Sequence, residues 1–153
     1  MTSDWAVVTA IATIIGVIGG LISVVFLILE VRRNAQAIEG ATVQSLMSFE
    51  KDVFALIANN AALYVKGSTG LSKLSATEKL AFDRIVGVQM SLTYSAYVQF
   101  QNQLIGDEVW DAYFNALQKY MEKSGFHESW KSFETSYPKS FRDMVNGGTP
   151  HPT

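Results

Sequence analysis

The chain has 153 residues, no cysteine, two histidines and a formal net charge of −2. That length leaves room for one membrane span and one modest domain; the missing cysteine excludes disulfides and thiolate chemistry. From Val31 onward acidic and basic side chains balance, so there is no basic field for nucleic acid and no polybasic strip for anionic lipid.

Trp5 to Leu29 is about 25 residues without a charge, closed by Asp4 before it and by Glu30, Arg32 and Arg33 after it. A helix of that length crosses a hydrocarbon core of roughly 30 Å. A secretory signal peptide requires a basic start and a shorter apolar core. Here the start is Met-Thr-Ser-Asp-Trp, with no Lys or Arg, so cleavage is not expected. Burial in a soluble fold is not expected either, because the polar remainder could not easily surround a helix apolar on every face. All Lys and Arg lie at or after Arg32, which by the positive-inside rule places the N-terminus outside and the rest in the cytoplasm.

Within the run, Ala12, Gly16 and Gly20 recur every four residues, a strip on which a second helix backbone can approach closely. They are the expected self-association face of a homo-oligomer. Thr9, Thr13 and Ser23 lie beside them; in a ring of copies these three would be the polar lining of a pore.

No proline interrupts Val31 to Asn59. Ile38, Thr42, Leu46, Phe49, Val53 and Leu56 keep a three-four spacing, so the membrane helix is expected to continue as an amphipathic helix with one apolar stripe. Asn59-Asn60 and Gly67 to Gly70 frame a short helix over Ala61 to Lys66, followed by a loop. Ser75-Ala76-Thr77-Glu78 reads as a capping box. It starts a long helix running to about Leu104, apolar over so wide an arc that it belongs at the centre of a bundle. Gly106 is expected to end it, with Asp107 capping the next helix and Gly125 ending that one. Two short helices follow, around His127 to Thr135 and, opened by Pro138, Pro138 to Val145. The tail from Gly147 reads as flexible.

The fold class is therefore all-α: one N-terminal transmembrane helix (1–33 with its short tail) continuing into a cytoplasmic helical bundle (34–146), with 147–153 as the end. The segments Val-Arg-Arg-Asn-Ala-Gln-Ala-Ile after the span, Asn-Ala-Ala-Leu-Tyr-Val-Lys-Gly, Leu-Ser-Ala-Thr-Glu-Lys-Leu-Ala-Phe, Gly106 to Trp110, the late Trp130 and Tyr-Pro-Lys-Ser-Phe-Arg-Asp-Met-Val give the chain a resemblance over nearly its whole length. It resembles a large family of short uncharacterised bacterial single-pass membrane proteins with a cytoplasmic helical domain. That family carries R-x-N-x-x-A-I after the span, N-P-E-L, L-S-x-x-E, G-x-x-D-x-x-x-W and a final P-x-F-R. The chain departs from the pattern at Asn60 to Leu63, which lacks the proline and acid, and at Gly106 to Trp110, where the spacing is tighter. The resemblance implies a bacterial inner-membrane protein and no particular activity.

Few residues invite chemistry. His127 and His151 are the only histidines, and His127 beside Glu128 makes no ligand pair, because neighbours on a helix point about 100° apart. Asp107, Glu108 and Asp111 near Trp110 are explained by the dipole of a helix start. Tyr94, Tyr97, Trp110 and Tyr113 are the residues that could line a small-molecule pocket, with core packing as the simpler role. No catalytic residue, metal site or cofactor is expected. The expected function is a self-associating scaffold or accessory subunit in the lipid bilayer, with its own copies and another membrane protein as the candidate partners; a channel-forming ring is the alternative and a ligand sensor a third reading.

Overall fold

The computed structural model describes residues 2–149, without the side chains of 2–8, 10–12, 14 and 15. Every described element is helical: α1 (Thr2–Asn59), α2 (Ala61–Ser68), α3 (Ala76–Gln101), α4 (Asp107–Met121), α5 (Ser124–Phe133) and α6 (Lys139–Val145), with short 3-10 turns at Leu71–Lys73 and Glu134–Ser136. The chain divides into two compact units, the boundary falling within α1 after Gly40.

In the first unit every described side chain is exposed. The apolar ones are exposed on all sides of the helix, from Val17 (57 %) to Phe26 and Leu27 (68 % each). Among the described residues no helix is long and apolar enough to cross a membrane. The side chains of most of the N-terminal half of the Trp5–Leu29 run are not among those described.

The second unit is a bundle organised on α3. Phe82, Ile85, Val86, Met90, Leu92, Ala96 and Tyr97 of α3 are buried, and α2, α4 and α5 all pack against this helix. α1 contributes Leu46 and Val53, α4 Trp110 and Leu117, α5 Phe126 and Trp130, and α6 Phe141, Met144 and Val145. The stripe expected on α1 is the face it buries: Leu46 and Val53 are covered and Thr42, Phe49 and Leu56 half-covered, while Ile38 is exposed. Rings supply much of the cohesion. Tyr97, Trp110, Tyr137 and Phe141 form a continuous set with centroids 5 to 6 Å apart, such as Tyr97–Trp110 at 5.7 Å and Tyr137–Phe141 at 5.3 Å. Such pairs add about 0.5–1.5 kcal/mol each beyond the area they bury.

The capping box forms as the sequence predicts. The Glu78 amide donates to Ser75 Oγ at 3.3 Å and the Ser75 amide donates to Glu78 Oε2 at 2.8 Å. Lys66 also donates to Glu78 at 2.8 Å, and these bonds hold the Glu78 carboxyl well below its usual range, at about 2, the Lys66 bond being the largest cause.

The helix ends differ from the sequence reading, each for a local reason. α3 stops at Gln101 instead of Leu104. Gln103 takes a left-handed φ of 57°, and the Leu104 and Gln103 amides donate back to the Gln99 and Phe100 carbonyls at 2.9 Å each. This is a Schellman closure with a glutamine where glycine is usual, so sequence alone carried no stop signal there. α4 opens on Gly106 as its cap, and Asp107 is already inside the helix with no capping side-chain bond. Gly125 does not end α4, which stops at Met121; it lies in the first turn of α5. There a Cβ would overlap the Gly67 carbonyl oxygen and sit 3.2 Å from the Gly70 nitrogen. Gly67 in turn belongs to α2, not to the expected loop, and a Cβ on it would enter the Phe82 ring. Gly147, at φ 112°, closes α6, with the Gly148 amide donating to the Asp143 carbonyl at 2.9 Å.

These contacts give three stability predictions, measured as urea midpoints of the full chain in detergent followed by tryptophan emission, since Trp110 and Trp130 are fully buried. Gly125→Ala forces α2 and α5 apart and is expected to cost about 3 kcal/mol or more. Gly87→Ala, in the middle of α3 with open space around its Cβ position, is expected to gain about 0.5–1 kcal/mol. Gln103→Gly relieves the left-handed strain and is expected to stabilise by about 0.5 kcal/mol, the relief being partly offset by glycine's freedom in the unfolded chain; a loss would show that the Gln103 side chain does more than cap.

Candidate functional site

The residues expected to mediate self-association sit on open surface. Gly16 and Gly20 are exposed, and a Cβ on either, or on Gly19, would meet nothing within 4 Å. The side chain of Ala12 lies outside the described residues. Thr13 Oγ1 donates to the Thr9 carbonyl at 2.8 Å and Ser23 Oγ to the Gly19 carbonyl at 2.9 Å. Bonded back to their own turn, these hydroxyls need no outside partner to satisfy their donors. Beside them, Leu21, Ile22, Val25, Phe26 and Leu29 line an entirely apolar depression of about 230 Å³.

Of the four aromatic residues singled out as a possible pocket wall, three are engaged in ring packing, with Tyr97 5.7 Å from Trp110 and 5.4 Å from Phe141 between centroids. Trp110 is fully buried and Tyr97 is 5 % exposed. Tyr94 packs edge-on to Phe141 at 5.0 Å and to Tyr137 at 5.5 Å. Tyr113 lines a groove between α1 and α4.

That groove, about 370 Å³, has Val43, Leu46, Met47 and Glu50 on the α1 side and Glu108, Val109, Ala112, Tyr113 and Ala116 on the α4 side. Its wall is apolar and its charged members are both acids. Burial first, and then the Glu50 carboxylate, push the Tyr113 phenol up to about 12; Tyr120 is raised by the same two causes. Met47 is 62 % exposed, and Phe54, one seven-residue repeat further along α1, is 54 % exposed. Apart from Tyr113, Leu46 as part of the α1 stripe, and Glu108 as a helix-start acid, sequence reasoning did not single these residues out. The available signals were a second apolar line on α1, outside its buried stripe, and the Ala112/Ala116 pair at helical spacing.

A second, larger cleft of about 620 Å³ lies between α3 and the α5 end, lined by Leu80, Asp83, Arg84, Gly87, Val88 and Ser91 and by Ser132, Phe133, Ser136 and Tyr137. Its polar groups are mostly engaged internally. The buried Ser129 hydroxyl donates to Asp83 Oδ1 at 2.6 Å, Ser91 Oγ donates to the Gly87 carbonyl at 2.9 Å, and Ser132 Oγ donates to the Ser129 carbonyl at 2.7 Å. Nearby, Asn146 joins three elements: its Oδ1 accepts from Trp130 Nε1 at 3.1 Å and from Lys131 at 3.3 Å, and its Nδ2 donates to Glu134 at 3.1 Å. This network fastens α6 to α5.

His127 is exposed on α5, and its neighbour Glu128 accepts the Leu71 amide at 3.4 Å. Asp107 and Glu108 are exposed and Asp111 half-buried at the start of α4. His151 lies outside the described residues. Among the described residues no three His, Cys, Asp or Glu side chains come together as metal ligands.

No family model matches the chain, and neither a curated protein nor a solved structure does.

The Tyr113 site carries a pH prediction. Because its folded pKa lies above the ordinary value of 10.0, the native state keeps a proton that the unfolded chain has released, and stability falls as pH climbs from about 10 to about 12. Tyr113→Phe is expected to reduce the drop in urea midpoint between about pH 9 and pH 11 relative to the parent chain. Equal drops in the two proteins would remove Tyr113 as a source of the alkaline loss.

Proposed function

We propose that the protein is a single-pass, self-associating membrane anchor whose helical bundle serves as a scaffold or accessory subunit of a membrane complex. One observation carries this reading. Large apolar side chains from Val17 to Val31 are roughly half or more exposed on every side of α1. A helix apolar all round needs an apolar surrounding, either lipid or other helices. The uncharged run from Trp5 to Leu29 supplies the length for a span. Arg32 and Arg33 at its end favour an outside N-terminus and a cytoplasmic bundle. The resemblance of the chain to bacterial single-pass proteins supports an inner membrane as its place.

The exposed Gly16 and Gly20 support association between copies, because small residues let helix backbones pack closely where lipid is as apolar as the side chains. An interaction role fits the side-chain chemistry better than catalysis does, with polar groups spent on caps, turns and inter-helix ties.

The protein is expected to stay in the membrane pellet through an alkaline carbonate wash and, extracted gently, to run at the native mass of a multimer. Gly16→Ile with Gly20→Ile should reduce the cross-linked oligomer in the membrane while leaving the pellet fraction unchanged. Release by carbonate would remove the span, and a parent chain that is monomeric on extraction would remove self-association through this face.

A further inference from the structure

The α1/α4 groove is bordered by a surface of α4 whose charges are arranged to meet their own copy. Glu108, Ala112, Ala116 and Lys119 follow one another at four, four and three residues, which on a helix keeps them in one row. Glu108, Ala112 and Lys119 are exposed and Ala116 is half-buried. The row therefore runs from an acid at the start of α4, across two alanines, to a base in its last turn. Among the described salt bridges neither Glu108 nor Lys119 takes part.

We propose that this face is a two-fold docking surface for a second copy of the chain, with the two α4 helices antiparallel and crossing at Ala112 and Ala116. A two-fold contact must be self-complementary, each patch meeting itself reversed. Reversal about the midpoint of Ala112 and Ala116 carries Glu108 to within one residue, about 1.5 Å along the axis, of the partner's Lys119, and Lys119 equally close to the partner's Glu108, within reach of both side chains. The alanines at the crossing let the axes approach to about 8 Å, the close end of helix packing. The apolar groove beside them then takes the flank of the incoming helix, covering the exposed Met47 and the half-buried Tyr113. The Glu50 carboxylate beside Tyr113 leaves the groove itself acidic, which disfavours a parallel arrangement that would bring Glu108 to Glu108. This contact goes beyond the span contact proposed above and shares no residue with it.

The chain has no cysteine, so introduced thiols report without background. Full-length chains carrying Ala112→Cys under one tag and Ala116→Cys under another are expected to cross-link to each other through a short bis-maleimide when co-expressed in membranes. Thr77→Cys, exposed at the start of α3, should yield no such product. Glu108→Lys or Lys119→Glu alone should lower the yield about tenfold, by setting like charges against each other at both ends. The combined charge exchange should restore it to within about threefold of the parent, a recovery that general disruption of the fold cannot produce. In the Gly16→Ile, Gly20→Ile background, the α4 product should persist in concentrated detergent extracts, so loss of the span contact and loss of this one are read separately. Absence of the Ala112/Ala116 product, equal cross-linking at Thr77→Cys, no recovery on charge exchange, or cross-linking to a different chain in its place would each overturn the proposal.

Discussion

The bundle depends on the place where the backbone of α5 touches the backbone of α2. Gly125 lies against the Gly67 carbonyl and Gly67 lies against the Phe82 ring, so two helices and the central helix meet through positions that leave no room for a Cβ. Phe82 and Phe126 are both fully buried there, edge-on with centroids 5.6 Å apart, and Tyr64 closes the set at 5.5 Å from Phe126. A close approach of this kind fixes distance more sharply than side-chain packing does, because a packed interior transmits displacement instead of absorbing it. With α2 and α5 set against α3, Trp110 of α4 and Phe141 of α6 both fall within ring contact of Tyr97.

How much of this could be read from the sequence depends on whether the signal was local. The capping box at Ser75 and Glu78 is contained within four residues and formed as written. The α1 stripe was legible through Leu46 and Val53, because one helical period sorts buried from exposed positions. Helix ends were less legible. Glycine has two uses, to stop a helix and to admit a neighbour, and nothing next to Gly125 in sequence tells which one applies, since the neighbour is Gly67. Gln103 shows the converse: its left-handed turn is imposed by the chain around it, without a glycine to announce it.

The surfaces divide along the same line. Gly16 and Gly20 could be picked out because their pattern repeats within one helix, and the structure leaves them uncovered. Tyr94, Tyr97 and Trp110 were named for their type, and type does not distinguish a pocket wall from a core; their ring contacts to Tyr137, Phe141 and one another place them in packing. The α1/α4 groove is built from residues about sixty positions apart, Glu50 on one side and Glu108 on the other. Only the fold brings them to one site.

The two units of the chain present opposite solutions to the same problem of covering apolar surface. From Ala41 onward α1 sorts its side chains, burying Leu46 and Val53 and exposing most of the polar ones. Before Gly40 the described residues are not sorted at all: Val24, Val25, Phe26 and Leu27, which point in different directions around one turn, are all more than half exposed. Sorting is what water selects for, and it is absent over these successive turns. The contacts each surface can make differ accordingly. In lipid, apolar side chains gain nothing by meeting, so association turns on how closely backbones approach, which is the part proposed for Gly16 and Gly20. In water, burying Met47 and Tyr113 is itself favourable, and in the proposed α4 contact charges such as Glu108 and Lys119 would select the orientation.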